Sequence, residues 1–248
     1  MKLLLCIDDT DMLGGKGTGK LVEELCEHLG ARIPMEYGFV SRHQLFVHKD
    51  IPFTSHNSAM CREVTIAEKD VPALIALSQK FLERESAAGS DPGLCVIKRE
   101  KLTEDEKRRL ADFGKSAKCT VLKKKDAYDL AAGIECVHLS EHGGTGQGVI
   151  GAISGCGLRL GGGDGRVKGK IEPGDPDEIT SVGELCTRYG FARAVTDDAE
   201  PIEASDTVLY GAVIKAVCRN DKRVIILLPD ETGKAMWRPI RKEEWKKY

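Results

Sequence analysis

An apolar run followed at once by acidic residues opens the chain and limits the folds open to it. Residues 2–7 read Lys-Leu-Leu-Leu-Cys-Ile, and Asp8, Asp9 and Asp11 follow within four residues. The run has the length and content of a buried strand, and it is too short for a signal peptide. We therefore predict a central strand that ends in a cluster of carboxylates.

The segments after this strand predict a mixed α/β (α+β) fold. Apolar residues recur on one helical face from Thr18 to a stop at Gly30, and further helices are predicted over 71–85, from Thr103 and over 149–158. The capping signature at Thr103 supports the helix that starts there. Strands are predicted over 44–49, 58–66, 94–97, 135–139, 208–217 and 223–228.

Composition and charge exclude several classes of protein. The 248 residues are 41% hydrophobic and 31% charged, which is typical of a soluble globular chain. A net charge of −2 provides no general attraction to nucleic acid, and no apolar run is long enough for a membrane span. The nine cysteines form no C-x-x-C pair, so we read them as small buried hydrophobes in a reducing cytoplasm.

The acidic cluster favours a magnesium site. Three neighbouring carboxylates repel one another unless a cation compensates them, and Mg²⁺ prefers hard oxygen ligands and nucleotide phosphates. The alternative is a solvated acidic turn, or an aspartate that caps a helix. Position favours the metal, because ligands bind at the carboxyl ends of strands in open α/β sheets.

A glycine-rich loop between the acids and the first helix is a candidate phosphate site. A loop of this kind that enters a helix N-terminus offers free N–H groups to an anion. The segment fits G-x-x-x-x-G-K, but Leu21 stands where a Walker A motif needs Ser or Thr, so we exclude a true P-loop. A flexible turn is the alternative. The predicted phosphate-binding residues are Gly14, Gly15, Lys16, Gly17, Gly19 and Lys20.

Two further segments are candidates for the same site. A second strand, glycine loop and helix start follow His142, and we expect this loop to form the opposite wall of the phosphate site. Its alternative is close helix packing through Gly151 and its neighbours. The polar segment 53–58 could hold a ribose, a base or a substrate, or be an ordinary loop with Asx turns. The predicted residues are Gly143, Gly144, Thr145, Gly146 and Gly148 for the nucleotide, and Thr54, His56, Asn57 and His142 for the substrate.

Taken together, these motifs resemble a known family. The segment 7–11, with Gly15 and Thr18, resembles the N-terminus of the 2-agmatinylcytidine synthetases, the archaeal enzymes that make agmatidine in an isoleucine tRNA. Three later segments also resemble family motifs. Thr54, Asn57 and Ala59 match the T-R-G-N-G-A element, and Asp91-Pro92-Gly93 is similar to the N-P-G turn. Gly146, Gly148, Ile150 and Gly151 match the G-R-G-L-I-G helix start.

The resemblance implies a kinase-like ATP- and Mg²⁺-binding domain and a catalytic role for Asp8, Asp9, Asp11 and Thr18. In the family the acids bind Mg²⁺, and a threonine by the ATP phosphates can itself be phosphorylated. Membership would imply cleavage of ATP to AMP and pyrophosphate, phosphorylation of a cytidine C2 oxygen, and its displacement by agmatine. We expect this domain at residues 1–57 and 125–200, a ferredoxin-like insertion at 58–124, and a β-hairpin with a charged tail at 201–248.

Departures from the family pattern bear on the acceptor. Gly17-Thr18-Gly19 stands where the family has Cys-Thr-Thr, and the chain shows no match to the OB-type domain and zinc ribbon that grip the tRNA. We therefore expect phosphoryl or nucleotidyl transfer to a small molecule or nucleoside rather than to tRNA. The alternatives are a nucleotide-sensing module without turnover, a structural partner protein, and a tRNA binder that uses the basic tail with Trp237 and Trp245.

Overall fold

The computed structural model describes residues 1–54, 56–175, 177–211 and 213–247. The chain divides into two compact units, of which the first is Met1–Gly161 and the second is Gly162–Tyr248. No helix in the described residues is long and apolar enough to cross a bilayer. The expected boundaries of the kinase-like domain, the ferredoxin-like insertion and the C-terminal hairpin stay predictions.

The first unit carries the elements that the N-terminal motifs predicted. Its strands are β1 (Lys2–Asp8), β2 (Met35–Gln44), β3 (Ser58–Ile66), β4 (Gly93–Lys98) and β5 (Val137–Glu141). Its helices are α1 (Thr18–Gly30), α2 (Val71–Glu85), α3 (Glu104–Ser116), α4 (Lys124–Ala132) and α5 (Gly148–Leu160).

The strands form one sheet in the order β5-β4-β1-β3-β2, and each pair in this described part is antiparallel. Segment 58–124 supplies β3 and β4, the two neighbours of β1, so it shares the sheet of the N-terminal segment. The predicted mixed α+β fold class is confirmed. The rule that ligands bind at the carboxyl ends of strands concerns open parallel α/β sheets, so it does not apply to these antiparallel strands.

Strand β1 is the centre of two hydrophobic cores. Because successive side chains of a strand alternate between faces, Leu3, Leu5 and Ile7 pack with α1 and α2 on one face. Leu4 and Cys6 pack with α3 and α5 on the other. Burial on both faces explains why this strand is a continuous apolar run, although its neighbours are antiparallel.

Several predicted elements are confirmed. The strand at 58–66 and the helix at 71–85 have the predicted bounds. The helix that follows Thr103 begins with the predicted capping box, in which Glu106 N–H donates to Thr103 Oγ1 over 3.2 Å and Thr103 N–H donates to Glu106 Oε2 over 2.8 Å. The strand predicted at 44–49 is wrong, because the strand that precedes β3 is β2, which ends at Gln44.

The second unit contains mostly short strands and, within the described residues, one α-helix. The elements are β6 (Arg166–Val167), β7 (Ile179–Ser181), α6 (Val182–Tyr189), β8 (Arg193–Val195), β9 (Thr207–Leu209), β10 (Val217–Arg219), β11 (Lys222–Pro229) and β12 (Trp237–Pro239). The order β6-β10-β11-β12-β9-β7 holds in the described residues, and β8 pairs with β11 in parallel.

The expected C-terminal hairpin is β10–β11. Its turn holds Asn220 and Asp221 at φ of +48° and +58°, the left-handed conformation that a two-residue turn of type I′ requires. The single strand predicted over 208–217 is wrong, because β9 ends at Leu209 and β10 begins at Val217. Trp245 is buried in a core with Val217, so its ring is not an exposed stacking surface.

Candidate functional site

The antiparallel register brings three chain segments to the end of β1. Ile7 pairs with Met60 in β3, and Asp8 pairs with Gly93 in β4. Since both neighbours run opposite to β1, the residues just before β3 and β4 lie beside Asp8 and Asp9. One pocket there is lined by residues that the sequence predicted for the site: Asp8, Asp9, Asp11, Thr18, Thr54, His56 and Asn57. Ser55, within the predicted substrate segment, lies outside the described residues.

Asp8 is buried against the first turn of α5. A Cβ added at Gly151 would overlap the carboxylate of Asp8, so only glycine at this position lets the side chain lie on the helix. A Cβ at Gly148 would overlap the carbonyl oxygen of Asp91, to which the Gly148 N–H donates over 3.1 Å. The predicted role of Gly148 in phosphate binding stays a prediction, and close packing of α5 against β1 and β4 is shown.

The electrostatics of the cluster favour a cation. Burial raises the pKa of Asp8 to about 8, and the neighbouring carboxylate of Asp9 contributes to the same shift. Burial also raises the pKa of Asp9 to about 6, with Asp91 and Asp11 contributing. The side chains that act on both groups are carboxylates, so a bound cation would compensate the cluster.

The residues present fit a magnesium ion with few protein ligands. Within the described residues, Asp8, Asp9 and Asp11 do not form a group of three whose oxygens all lie within 4.8 Å of one another. Mg²⁺ in nucleotide sites is usually held by one or two carboxylates, with phosphates and waters completing the octahedron. Asp8 and Asp9, which both line the pocket at the end of β1, satisfy this requirement.

Asp9 itself has a special backbone conformation. Its φ is +53°, a left-handed value that is uncommon outside glycine and most tolerated by Asp and Asn. The turn ends β1 and directs the following residues toward α1. Non-glycine residues in the left-handed backbone region cluster at functional sites, and Asp9 is such a residue beside a buried acid.

A chain of hydroxyl groups connects the acids to the first helix. Thr10 Oγ1 donates to Thr18 Oγ1 over 3.1 Å, and Thr18 Oγ1 donates to Asp11 Oδ1 over 3.4 Å. Thr54 Oγ1 contacts the same oxygen at 3.5 Å. Asp11 therefore holds two threonines that the sequence predicted for different roles. Thr10, which is 1% exposed, was missed because its position in the acidic motif gives no signal of burial.

The first turns of two helices, α1 and α5, lie beside the acidic residues. α1 begins at Thr18 and α5 at Gly148, and both residues line the pockets that contain Asp8 and Asp9. In these described segments neither Gly17 nor Gln147 supplies a side-chain cap, and the first turns carry no acidic residue. In α5 the N–H groups of Gly148 and Ile150 already donate to the carbonyls of Asp91 and Gln147, so this helix attracts an anion through its dipole. At α1 the N–H groups of Thr18 and Gly19 are the candidates for contact with an anion.

The first glycine loop forms the entry to α1. Gly15 N–H donates to Met12 O over 2.9 Å, and Gly14 has a φ of +83°. Lys16 Nζ forms an ion pair with Glu24 at 2.6 Å, so its contact with phosphate requires exchange of that partner. Lys20 is exposed on the first turn of α1, next to Gly19.

The second glycine loop packs around acidic side chains. Thr145 Oγ1 donates to Asp91 Oδ2 over 2.6 Å. Gly144 and Gly146 have φ of +54° and +75°, and a Cβ at either would overlap Asp91 or Glu141 respectively. Gly143 lies against Pro92. The loop thus positions Asp91, which sequence reasoning named only as part of a turn, beside Asp9.

The remaining predicted substrate residues differ in their surroundings. His142 Nε2 hydrogen-bonds with Ser140 Oγ at 2.8 Å, and its Nδ1 lies 3.5 Å from Glu83. Burial lowers the pKa of this histidine, and its side chain is held between β5 and α2. Asn57 Nδ2 donates to the carbonyl of Phe46 over 2.7 Å, which is the ordinary loop role, although Asn57 also lines the pocket.

A larger cavity adjoins the acids on the α5 side. It encloses about 620 Å³, part of it open to solvent, and Asp8 and Asp9 form one wall. Its other walls are mixed in character, with Asn57, Asp50 and Thr120 beside apolar side chains from Leu45, Ile51, Pro52, Val121, Leu122 and Ile150. This lining fits a small organic molecule that carries polar or positively charged groups.

Comparison with known proteins supports the fold. Neither a protein-family profile nor a curated protein matches the chain. Among solved structures, the chain is similar to TiaS, a tRNA agmatidine synthetase, in its apo form (22% identity, TM-score 0.52, 63% of this chain and 35% of TiaS). It is also similar to TiaS in complex with tRNA and ATP (23% identity, TM-score 0.53, 63% of this chain and 36% of TiaS). A third similar structure is a tRNA fluorescent labeling enzyme (21% identity, TM-score 0.55, 77% of this chain and 45% of that enzyme).

The chain spans about a third to under a half of the length of these proteins. At this level of identity the likeness concerns the fold alone. The chain therefore has a mixed α+β fold shared with part of the tRNA agmatidine synthetase structures.

Proposed function

We propose that this protein catalyses ATP- and Mg²⁺-dependent phosphoryl or nucleotidyl transfer. One observation carries the proposal: two aspartates whose pKa values are raised by burial and by neighbouring carboxylates stand beside two helix N-termini that have no side-chain cap. When ionised, such carboxylates are stabilised by a cation, and helix N-termini of this kind attract an anion. Mg²⁺ bound to nucleotide phosphates supplies both.

Each side chain then has a definite role. Asp8 and Asp9 hold the metal, which neutralises charge on the transferred phosphate, and Asp11 orients Thr18 and Thr54 through its Oδ1 contacts. The N–H groups of Thr18 and Gly19 at the start of α1 donate to phosphate oxygens, and the dipole of α5 adds to the attraction. Thr18 binds phosphate or accepts it transiently. Catalysis by positioning and charge neutralisation is usual for phosphoryl transfer.

All of these residues lie in Met1–Gly161, so we assign the nucleotide site to this unit. We assign the acceptor to the mixed cavity beside Asp8. TiaS has been solved with tRNA and ATP, and with tRNA, an ATP analogue and agmatine. The carboxylate of Asp50 at the cavity wall suits an amine. A small amine or a nucleoside is therefore our proposed acceptor, and tRNA is the contrasting candidate.

Nucleotide products test this proposal. The full chain is incubated with Mg·ATP and either agmatine, other small amines, free nucleosides or bulk tRNA, and the products are analysed by mass spectrometry. We expect AMP or ADP to accumulate with a small acceptor, and to be lost in Asp9→Asn. Asp112→Asn, which removes an exposed carboxylate on α3, is the matched control.

Two outcomes would contradict the proposal. Mg·ATP that binds without product formation under every acceptor condition would indicate a nucleotide-sensing module. Activity that persists in Asp9→Asn would move the reaction away from the acidic cluster.

A further inference from the structure

A cluster of cysteines lies in the second core of the first unit. The Sγ atoms of Cys6, Cys61 and Cys156 all lie within 4.8 Å of one another, and the three residues are 0% exposed. They come from β1, β3 and α5, which are far apart in sequence, so no C-x-x-C pattern reveals them. Within the described residues this is the one group of three potential metal ligands at that spacing.

Sheet register and helix packing create the cluster. Cys6 pairs directly with Cys61 in the antiparallel register of β1 and β3, which puts both side chains on the face that α5 covers. A Cβ added at Gly155 would lie 2.5 Å from Cys6 Sγ, so α5 runs unusually close to β1 there. Glycine at that position lets the adjacent Cys156 reach the other sulfurs.

We propose that Cys6, Cys61 and Cys156 bind one thiophilic metal ion, Zn²⁺ or Cu⁺, inside the core of this unit. Three sulfurs around one ion at about 2.3 Å lie about 4 Å from one another, which agrees with the observed spacing. Soft thiolate ligands select these ions over Mg²⁺. The site is separate from the proposed nucleotide chemistry and does not depend on it.

A buried positive charge lies beside the cluster. The guanidinium of Arg159, which is 2% exposed, donates to the carbonyl of Cys61 over 3.0 Å and to Ser41 Oγ over 3.0 Å. Three thiolates with Zn²⁺ carry a net charge of −1, and with Cu⁺ a net charge of −2. The guanidinium offsets one unit of that charge, which lowers the cost of burying the complex.

A fourth cysteine flanks the site. Cys95 pairs with Cys6 across the β1–β4 edge of the sheet, and its thiol lies close enough to Cys156 to contribute to the raised pKa of that residue. It stands outside the group in which all sulfurs lie within 4.8 Å. The arrangement is therefore a three-sulfur site with a neighbouring thiol.

The ion would join the elements that carry the acidic cluster. Cys6 lies two residues before Asp8 on β1, and Cys156 lies five residues after Gly151 on α5. A metal bond between these elements would fix the strand and the helix whose close contact positions the carboxylate of Asp8. Since the cysteines are fully buried, the ion must enter before or during folding, and binding displaces the thiol protons.

Metal analysis of the full chain tests the site. The protein is expressed with added zinc or copper, purified without an affinity tag, dialysed against EDTA, and analysed for metals by mass spectrometry. We expect about one equivalent of Zn²⁺ or Cu⁺ per chain. Cys156→Ser and Cys61→Ser should lose the metal, whereas Cys218→Ser, which removes a buried cysteine of the second unit, should keep it.

X-ray absorption at the metal edge keeps the test decisive if a variant fails to fold. On the wild-type protein it should show three sulfur neighbours at about 2.3 Å. Metal content far below one equivalent in the folded wild type would overturn the proposal. An absorption spectrum that shows oxygen or nitrogen ligands in place of the three sulfurs would also overturn it, as would a disulfide among the three cysteines. Those results would leave the cysteines as closely packed small hydrophobic residues.

Discussion

The buried carboxyl of Asp8 makes a quantitative prediction for the metal-free protein. Its pKa rises from 3.8 to about 8 on folding, chiefly because of burial. A folded-state pKa above the unfolded value means that the folded protein binds the proton more tightly. The corresponding stability is fully present below about pH 4 and is lost as the pH rises to about 8.

The size of the effect follows from the shift. Each pKa unit corresponds to about 1.36 kcal/mol, and the linkage between about pH 5 and about pH 8 amounts to about 3 to 4 kcal/mol for this one group. Asp8 is 8% exposed, so solvent screening reduces the figure little. Asp8→Asn removes the ionisable group while it keeps the size of the side chain.

The assay is urea unfolding in the absence of divalent cations, monitored by circular dichroism at a series of pH values between about 5 and about 8. We expect the unfolding free energy of the wild type to fall with pH more steeply than that of Asp8→Asn, with Asp112→Asn as the control for the loss of one carboxylate. Added Mg·ATP should flatten the wild-type profile and leave that of Asp8→Asn unchanged. Parallel profiles for wild type and Asp8→Asn would refute the burial of an unpaired carboxylate at this position.

Three other substitutions test separate parts of the structure. Gly151→Ala should displace the carboxylate of Asp8, destabilise the fold by about 1 to 3 kcal/mol and reduce the melting shift caused by Mg·ATP, whereas Gly163→Ala, with open space around it, should change neither. Thr18→Val breaks the hydroxyl contacts with Thr10 and Asp11, so it should lower the unfolding free energy by about 1 to 2 kcal/mol and weaken nucleotide binding. If Thr18→Ser keeps the stability and the binding of the wild type, both effects are due to the hydroxyl group. Thr103→Ala removes a capping box and should cost about 1 kcal/mol with no effect on the Mg·ATP shift, and an altered shift would show that α3 is coupled to the site.

Local patterns predicted the elements whose sequence shows their own burial. β3 and α2 were predicted with the observed bounds because their apolar spacing matches their buried faces. β2 was missed because its first half, Met35–Phe39, is largely exposed and contains Gly38 at an irregular register with β3. The run at 208–217 contains a break after Leu209 that no apolar pattern marks.

The sequence predicted the acidic residues of the site, but it did not predict the residues that position them. Neighbouring aspartates are visible in the sequence, so the cluster at the end of β1 needed no knowledge of the fold. The roles of Asp91 and Gly151 depend on antiparallel pairing with β4 and on the approach of α5. Both are long-range contacts, so the sequence suggested only a turn and a packing glycine.

Calorimetric titration with Mg·AMPCPP in the absence of an acceptor tests the central claim most directly, because this ATP analogue resists cleavage between its α- and β-phosphates and transfer of its γ-phosphoryl group would lack an acceptor. We predict saturable binding to the wild type and to Asp112→Asn, dependent on Mg²⁺, and no measurable binding to Asp9→Asn, which removes a carboxylate from the pocket at the end of β1. Equal affinity of the wild type and Asp9→Asn, or binding that persists in EDTA, would contradict a magnesium–nucleotide site at this cluster.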